Sequence, residues 1–388
     1  MKNSSYGRRR FIQHTGAAGL ALGAGLRSDA QVPERKIKVG LIGCGSVSGQ
    51  YLPNLKACPF VEMVSVCDIR SERAARRAEQ FKVANQYPRI DAMLAGAPFE
   101  LLVNLTDMQE HERLNREALA AGKNIWSEKP IANSLAAGQE LLATAQQKRL
   151  RLWGAPTVVA SPQFAFMAKQ IAGGALGRVA AAHAHYGHEG PGWSSFFYEK
   201  GGGSLSDLGV YSLTTLTGLL GPAKAVTAMV SIVTPARKIE GKGRIEVTEE
   251  DNAMVLLDHG NGVISHLQSS FNYFNPHGHE GREETRHTIN VVGREGWMGL
   301  AGYDWEPHGV DFATKAEPKR KRHAEDAHGY VWQGGASRAA ECLATGRETP
   351  FTPEHALHVV EIITAARESH ATGRRIDLTS TFKWPVIT

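Results

Sequence analysis

The chain has little cysteine: four residues in 388, at positions 44, 58, 67 and 342. That number and spacing match neither a disulfide framework nor a CxxC metal site. Long hydrophobic runs are missing as well, and no stretch reaches the ~20 apolar residues that a membrane-spanning helix needs. Net charge is small, with 44 Lys and Arg against 39 Asp and Glu, or +5. Most of that excess sits in the first thirty residues, where Lys2, Arg8, Arg9, Arg10 and Arg27 face only Asp29. The remainder is close to neutral, so no basic domain is left to bind nucleic acid. Internal repeats are absent, and 42% hydrophobic with 21% charged residues excludes disordered, collagen-like and coiled-coil classes. The length instead suggests two globular domains.

The first thirty residues read as an address. Arg8-Arg9-Arg10-Phe11-Ile12-Gln13 precedes an apolar, Gly- and Ala-rich run from Thr15 to Leu26, and Ser28-Asp29-Ala30 supplies a small-x-small end. Positive flank, short apolar core and cleavage-type end describe a removable signal, and the paired arginines resemble the twin-arginine motif. The expectation is a signal over residues 1–30, a partnership with the twin-arginine export machinery, and a periplasmic or otherwise exported protein without stable membrane insertion.

From Lys36 an apolar strand ends in Gly43-Cys44-Gly45-Ser46-Val47-Ser48-Gly49. Such glycines let backbone N–H groups approach a pyrophosphate, with a helix N-terminus behind them. Gly49 falls one position later than the strict G-x-G-x-x-G spacing. A second strand, Val61–Cys67, ends at Asp68, where an acidic residue accepts the hydroxyls of an adenosine ribose. That favours NAD, whereas Arg70 beside it is the type of residue that accommodates NADP. A helix over 71–81, a strand over Leu101–Leu105 ending at Thr106, a helix over Glu110–Ala121 and a strand over Asn124–Ser127 continue the alternation. This rhythm predicts an α/β, doubly wound parallel sheet over residues 36–155. Ligands of such sheets bind at the carboxyl ends of the strands. There the chain places Glu128-Lys129-Pro130, so Lys129 is held where a lysine can exchange a proton with a reacting hydroxyl.

Gly43-Cys44-Gly45, Asn104-Leu105-Thr106 with His111, Ala121-Gly122-Lys123 and Glu128-Lys129-Pro130 together resemble the glucose–fructose oxidoreductase/inositol dehydrogenase (Gfo/Idh/MocA) family. The resemblance implies a Rossmann domain followed by an α+β domain, with Lys129 touching both nicotinamide and substrate. It implies that Gly43, Gly45, Ser46, Val47, Asp68, Thr106, His111 and Glu128 line an NAD or NADP site, to which Arg70 is added by its place beside Asp68.

After residue 155 the pattern changes to longer strands joined by tight turns such as Asp258-His259-Gly260-Asn261-Gly262. The prediction is an α+β domain over 156–350, with an open, mainly antiparallel sheet. Its exposed face suggests a homo-oligomer. Residues 351–388 are predicted to form a long helix, signalled by Thr352-Pro353-Glu354 and Gly373, and a tail returning to the Rossmann domain. Within the second domain, Gly201-Gly202-Gly203-Ser204-Leu205-Ser206-Asp207 precedes a helix that Ser206 is expected to cap, putting Asp207 and Tyr211 on one face. A carboxylate and a phenol so placed can share a proton with a hydroxyl held near Lys129. The glycine–Asp segment matches the family's second signature, although many members carry His where this chain has Tyr211. A phenol is the poorer base, so Lys129 is the expected proton acceptor.

His185, Trp193 and Tyr198 are the candidate substrate contacts, because aromatic faces pack on sugar C–H faces and a phenol can bond hydroxyls. His183-x-His185 and His277-x-His279 have no completing ligand, so no metal is expected. The run Lys319-Arg320-Lys321-Arg322, flanked by acids, reads as a solvated loop. The composite expectation is an NAD(P)-dependent oxidoreductase acting on a secondary hydroxyl of a sugar, glycoside or polyol. The alternatives are an NAD-dependent glycoside hydrolase with transient oxidation and a non-enzymatic sugar-binding protein.

Overall fold

The structure is a computed structural model that describes residues 35–274 and 286–387. The signal expected over residues 1–30 and His277-x-His279 lie outside the described residues. The first half forms β1 (Ile37–Ile42), α1 (Ser48–Ala57), β2 (Val61–Cys67), α2 (Ser71–Phe81), β3 (Asn85–Tyr87), α3 (Ile90–Ala95), β4 (Leu101–Asn104), α4 (His111–Ala120), β5 (Asn124–Ser127), α5 (Leu135–Gln147) and β6 (Leu152–Gly154). All pairings are parallel and the strand order is β3-β2-β1-β4-β5-β6. The order reverses between β1 and β4, which opens a crevice at their carboxyl ends. Val39, Leu41, Leu101, Val103, Ile125 and Trp126 are buried on these central strands, as strands covered by helices on both faces require.

The second half begins with α6 (Pro162–Ala172), capped by Ser161 Oγ and carrying proline at its first position. There follow β7 (Val179–Gly187), α7 (Val210–Leu220), β8 (Ala225–Ser231), the hairpin β9 (Ala236–Ile239) and β10 (Gly243–Glu246), β11 (Asn252–Gly260), β12 (Val263–Ser270), β13 (His287–Gly293), β14 (Gly296–Tyr303), β15 (Glu306–Thr314) and β16 (Lys321–His323). The chain ends with α8 (Gly335–Thr345), α9 (Pro353–Thr372) and β17 (Ile376–Asp377). Nine strands form one sheet in the order β16-β15-β14-β13-β7-β12-β11-β8-β17, antiparallel except for the β7–β12 pair. Strand alternation sends Ala182, Ala184, Val255, Leu257 and Leu267 into the core beneath α7 and α9. Met229, Met254, Leu256 and Ile264 stand exposed on the other face.

α9 starts where Thr352 Oγ1 accepts the His355 N–H and stops at Gly373, which adopts φ 66°. It lies between α5 and β8, so it joins the two halves. The return to the nucleotide sheet starts before residue 351, because α8 already packs on α1, β1, β2 and β5. The Lys319–Arg322 run is tied locally, with Arg322 on Asp311 and Lys321 on Glu317. Among the described residues, no helix is long and apolar enough to cross a membrane.

Candidate active site

The glycine turn after β1 is built for close approach. Gly43 adopts φ 93°, and a Cβ there would sit 2.5 Å from the backbone of Leu105, so the β1 and β4 tips meet only through glycine. Gly45, Ser46 and Val47 then border the crevice at the N-terminus of α1. Arg77 donates to Gly45 O and to Ser48 Oγ, fixing the turn from below. This geometry suits a pyrophosphate, with the positive end of the α1 dipole behind it. Asp68 ends β2 as expected, but it is buried and accepts from the N–H groups of Cys44 and Arg70 at 2.8 Å each. Arg70 and Arg73 face the crevice at this end. The site therefore fits a nicotinamide dinucleotide.

Thr106, Asp107 and His111 continue the lining beyond the β4 tip. His111 is buried, its Nδ1 2.8 Å from Pro130 O and its Nε2 3.0 Å from Thr106 O. It braces the β4 turn against the β5 turn, and burial pushes its pKa down. Glu128 is held by two donors, Tyr51 Oη at 2.6 Å and the Lys129 N–H at 3.0 Å. Burial and the neighbouring Glu128 carboxylate push the Tyr51 pKa well up, so the phenol donates.

Lys129 leaves the β5 tip and crosses the crevice. Its Nζ donates to Asp207 Oδ1 at 2.8 Å and to the Asp207 carbonyl at 2.7 Å, and it lies 4.9 Å from the centre of the Tyr211 ring. Lys129, Asp207 and Tyr211, the three residues expected to do chemistry, thus meet in one place. Ser206 is not an N-cap. The segment Leu205–Gly209 is a π-helical turn running directly into α7, with the Val210 N–H bonded to Leu205 O five residues back. Ser206 is buried inside it and receives a hydrogen bond from Arg367. Burial raises the Tyr211 pKa well above its ordinary value, with Glu128, Tyr186 and Asp207 adding to the rise, so its phenol stays protonated and has a proton to donate.

The crevice encloses about 890 Å³ and extends past this trio under the loop 190–198. Trp193 borders it and is half exposed, wedged edge-on against Phe196 and Phe197. Tyr198 does not face the crevice. It is buried, donates to Pro191 O at 2.8 Å and carries the Arg237 guanidinium 4.8 Å over its ring, so it fastens the loop. His185 is also misplaced by the sequence reading. Alternation along β7 turns Tyr186 toward the crevice and His185 toward the open sheet face, where Arg286 Nε donates to its Nε2.

Sequence reasoning missed the aromatic wall made by Tyr186, Trp305 and Trp332. Trp305 Nε1 donates to Tyr186 Oη at 3.0 Å, and Trp332 stands edge-on to both Trp305 and Tyr51. Tyr186 was within reach of the sequence, because it lies next to His185 in a strand whose alternate side chains face opposite sides. Trp305 and Trp332 carry no local motif. His188 and Asp107, which also line the crevice, were missed for the same reason. Among the described residues, no three His, Cys, Asp or Glu side chains converge as a metal-ligand set.

Known proteins resemble both halves. Residues 37–155 match an oxidoreductase family with an NAD-binding Rossmann fold, and residues 164–299 match the GFO/IDH/MocA C-terminal domain. D-apiose dehydrogenase of Rhizobium rhizogenes is 25% identical over 364 residues, spanning 88% of this chain and 98% of that protein. Trans-1,2-dihydrobenzene-1,2-diol dehydrogenase of Oryctolagus cuniculus is 25% identical over 327 residues, 81% of this chain and 92% of that protein. The crystal structure of GenD2 from gentamicin A biosynthesis in complex with NAD superposes with a TM-score of 0.72 at 25% identity, over 92% of this chain and 100% of that one. With both halves matched and a dinucleotide crevice between them, the chain belongs to the GFO/IDH/MocA family of NAD(P)-dependent oxidoreductases that act on sugars and diols.

Proposed function

We propose that this protein oxidises one secondary hydroxyl of a sugar, glycoside or polyol to the ketone, or reduces that ketone back to the hydroxyl, with Lys129 as the proton-transfer group. The observation that carries the reading is the Lys129 Nζ–Asp207 Oδ1 contact of 2.8 Å at the carboxyl edge of the nucleotide sheet. When bound, the dinucleotide supplies the hydride acceptor or donor. Gly43, Gly45, Ser46 and Val47 hold its pyrophosphate end, and Arg70, Thr106 and His111 flank it. We assign NAD rather than NADP on the strength of Asp68, the carboxylate at the end of β2.

In the oxidative direction, Lys129 takes the hydroxyl proton as the C–H bond is broken. Asp207 is hydrogen-bonded to Nζ and is the group to which Lys129 passes a proton beforehand. Tyr211, kept protonated, donates to the oxygen on which negative charge develops. Trp193 and Tyr186 present ring surface to the sugar's C–H faces. The N-terminal arginine pair supports export through the twin-arginine route, with the cofactor loaded before export. The exposed Met229, Met254, Leu256 and Ile264 support self-association through the open sheet face.

The test is turnover of a sugar, glycoside and polyol panel read by nicotinamide fluorescence. In Lys129→Ala we expect kcat to fall by about 10³-fold, with dinucleotide affinity retained. Unchanged turnover in that variant would remove Lys129 from the chemistry. Aglycone release without net reduced nicotinamide would favour the hydrolase instead. Mass spectrometry of the secreted protein's N-terminus checks the export reading, and an intact Met1 there would overturn cleavage.

A further inference from the structure

Three consecutive acids, Glu249, Glu250 and Asp251, precede β11, and their carboxylates hold separate backbone segments behind the crevice, with Glu249 and Glu250 also paired to Arg367. Glu249 accepts the Gly201 N–H at 2.9 Å. Asp251 accepts the N–H groups of Val233 and Thr234 and an Arg237 guanidinium N–H, which ties down the root of the β9–β10 hairpin. Glu250, 4% exposed, reaches the π-helical turn itself: its Oε1 accepts the Leu205 N–H at 3.0 Å and its backbone carbonyl accepts the Ser204 N–H at 2.9 Å.

Arg367, from α9, closes the arrangement. Its Nε donates to Glu250 Oε2 at 3.0 Å, and its Nη2 donates to Gly202 O at 2.7 Å, to Ser206 Oγ at 3.1 Å and to Glu250 Oε1 at 3.2 Å. The glycine run is shaped to admit this pair. Gly203 adopts φ 90°, and a Cβ there would lie 2.3 Å from Glu250 Oε1. A buried ion pair adds little stability over well-packed apolar residues. Here the pair fixes Gly202, Leu205 and Ser206, the residues leading into Asp207, while in a π-turn the backbone departs from the regular i→i−4 ladder. That is the stretch in which the Asp207 carbonyl and carboxylate both turn to Lys129 Nζ.

We infer that Glu250 and Arg367 are positioning residues that hold the π-turn in register, so that Asp207 presents both of its oxygens to Lys129. The inference rests on Lys129 being the proton-transfer group. Neither side chain borders the reaction crevice, so neither is expected to touch substrate or dinucleotide.

The test uses the full chain carrying Glu250→Gln or, separately, Arg367→Lys, each close in size to the native residue. The readout that needs no turnover is acylation of Lys129 by acetic anhydride, measured by mass spectrometry relative to Lys148 in the same digest. Both variants should acylate Lys129 about 5-fold faster, because Nζ is no longer tied to two Asp207 oxygens and is freer to meet the reagent. Where the protein turns over a sugar, kcat should fall about 10–100-fold while the KM for the alcohol stays within about 3-fold, the signature of a lost transition-state contact. Unchanged acylation in a folded variant would overturn the inference, whatever happens to stability. Variants that acylate faster as described, made from a wild type that oxidises no alcohol, would confirm the clasp and defeat the functional reading, which keeps the two separable.

Discussion

The two lips of the crevice are built differently. The nucleotide lip consists of strand tips, where a side chain's place follows from where its strand ends: Thr106 follows β4 and Lys129 follows β5. The opposite lip is a π-turn and an aromatic loop, whose positions are set by residues far away in sequence. Leu205 is held by Glu250, 45 positions on, and Gly202 by Arg367, 165 positions on. The first lip is rigid by topology and the second by a network of polar contacts. The hydrogen-bonded pair proposed for proton transfer, Lys129 and Asp207, takes one member from each.

The largest effect expected in the second lip is at Asp207 itself. Asp207→Asn keeps an oxygen for Lys129 Nζ but removes the carboxylate that can take its proton, so kcat should drop about 10²-fold. Dinucleotide affinity, which belongs to the other lip, should stay within about 2-fold by fluorescence titration, because no cradle contact is lost. If dinucleotide binding fell together with kcat, the two lips would not be separable and the comparison would break.

The same contrast governs what could be read beforehand. The Rossmann strands were legible because buried parallel strands are near-continuous apolar runs ended by glycine turns, and both signals are local. The helix over 71–81 and the strands over 61–67 and 124–127 lie where the pattern put them. The short β3 and α3 and the polar β9–β10 hairpin were missed because they are too brief or too mixed in pattern to show a period. α8 escaped because its Ala-rich face packs under β1 without a strong cap. In the site, Asp207 and Tyr211 were legible from helical spacing, yet the π-turn between them was not. The π-turn is contacted by Glu250 and Arg367, which no window around Asp207 contains. Tyr198 and His185 were judged by the chemistry of their side chains, and the structure assigns them by strand and loop direction instead.

Acid should separate the halves further. His355 at the start of α9 is buried, its Nε2 2.8 Å from Thr217 Oγ1 and its ring stacked on Phe382. Burial, with His358 adding to it, pushes its pKa down to about 3. His358 falls to about 4 for the same leading reason. An unfolded histidine titrates near ~6.5, so the folded state binds the proton less readily. The stability these two residues contribute is complete above that pH and is lost as pH falls toward 4 and 3. Glu250 and Asp304, raised by burial to about 7 and about 6, act with the opposite sign. Comparing wild type with His355→Gln isolates the histidine. The variant's Tm should decline less steeply between pH 6.5 and pH 4, and hydrogen exchange should show α9 and β8 opening before β1 and β4 in wild type. Parallel Tm curves for the two proteins would dismiss His355 as a source of acid sensitivity.

The smallest expected effect is the sharpest test of the second lip's geometry, because it compares two neighbours on one strand. Tyr186 and His185 are adjacent in sequence and face opposite sides of β7, one toward the crevice wall and the other toward Arg286 on the open sheet face. His185 brings a partly buried imidazole whose pKa is lowered to about 4 by desolvation and the Arg286 charge, so it is neutral at physiological pH and carries no charge to either face. His185→Ala should leave kcat and KM within about 2-fold of wild type, the scale of a substitution that touches neither the substrate nor its support. Tyr186→Ala removes the ring and the oxygen to which Trp305 donates, so kcat/KM should fall about 10-fold, with the KM for the alcohol rising. Both variants are to be measured at the same oligomeric state, since His185 lies on the face proposed to meet a second copy. If His185→Ala were instead the damaging change, the chemistry of the imidazole would outweigh the direction of the strand, and the substrate would have to reach the open face.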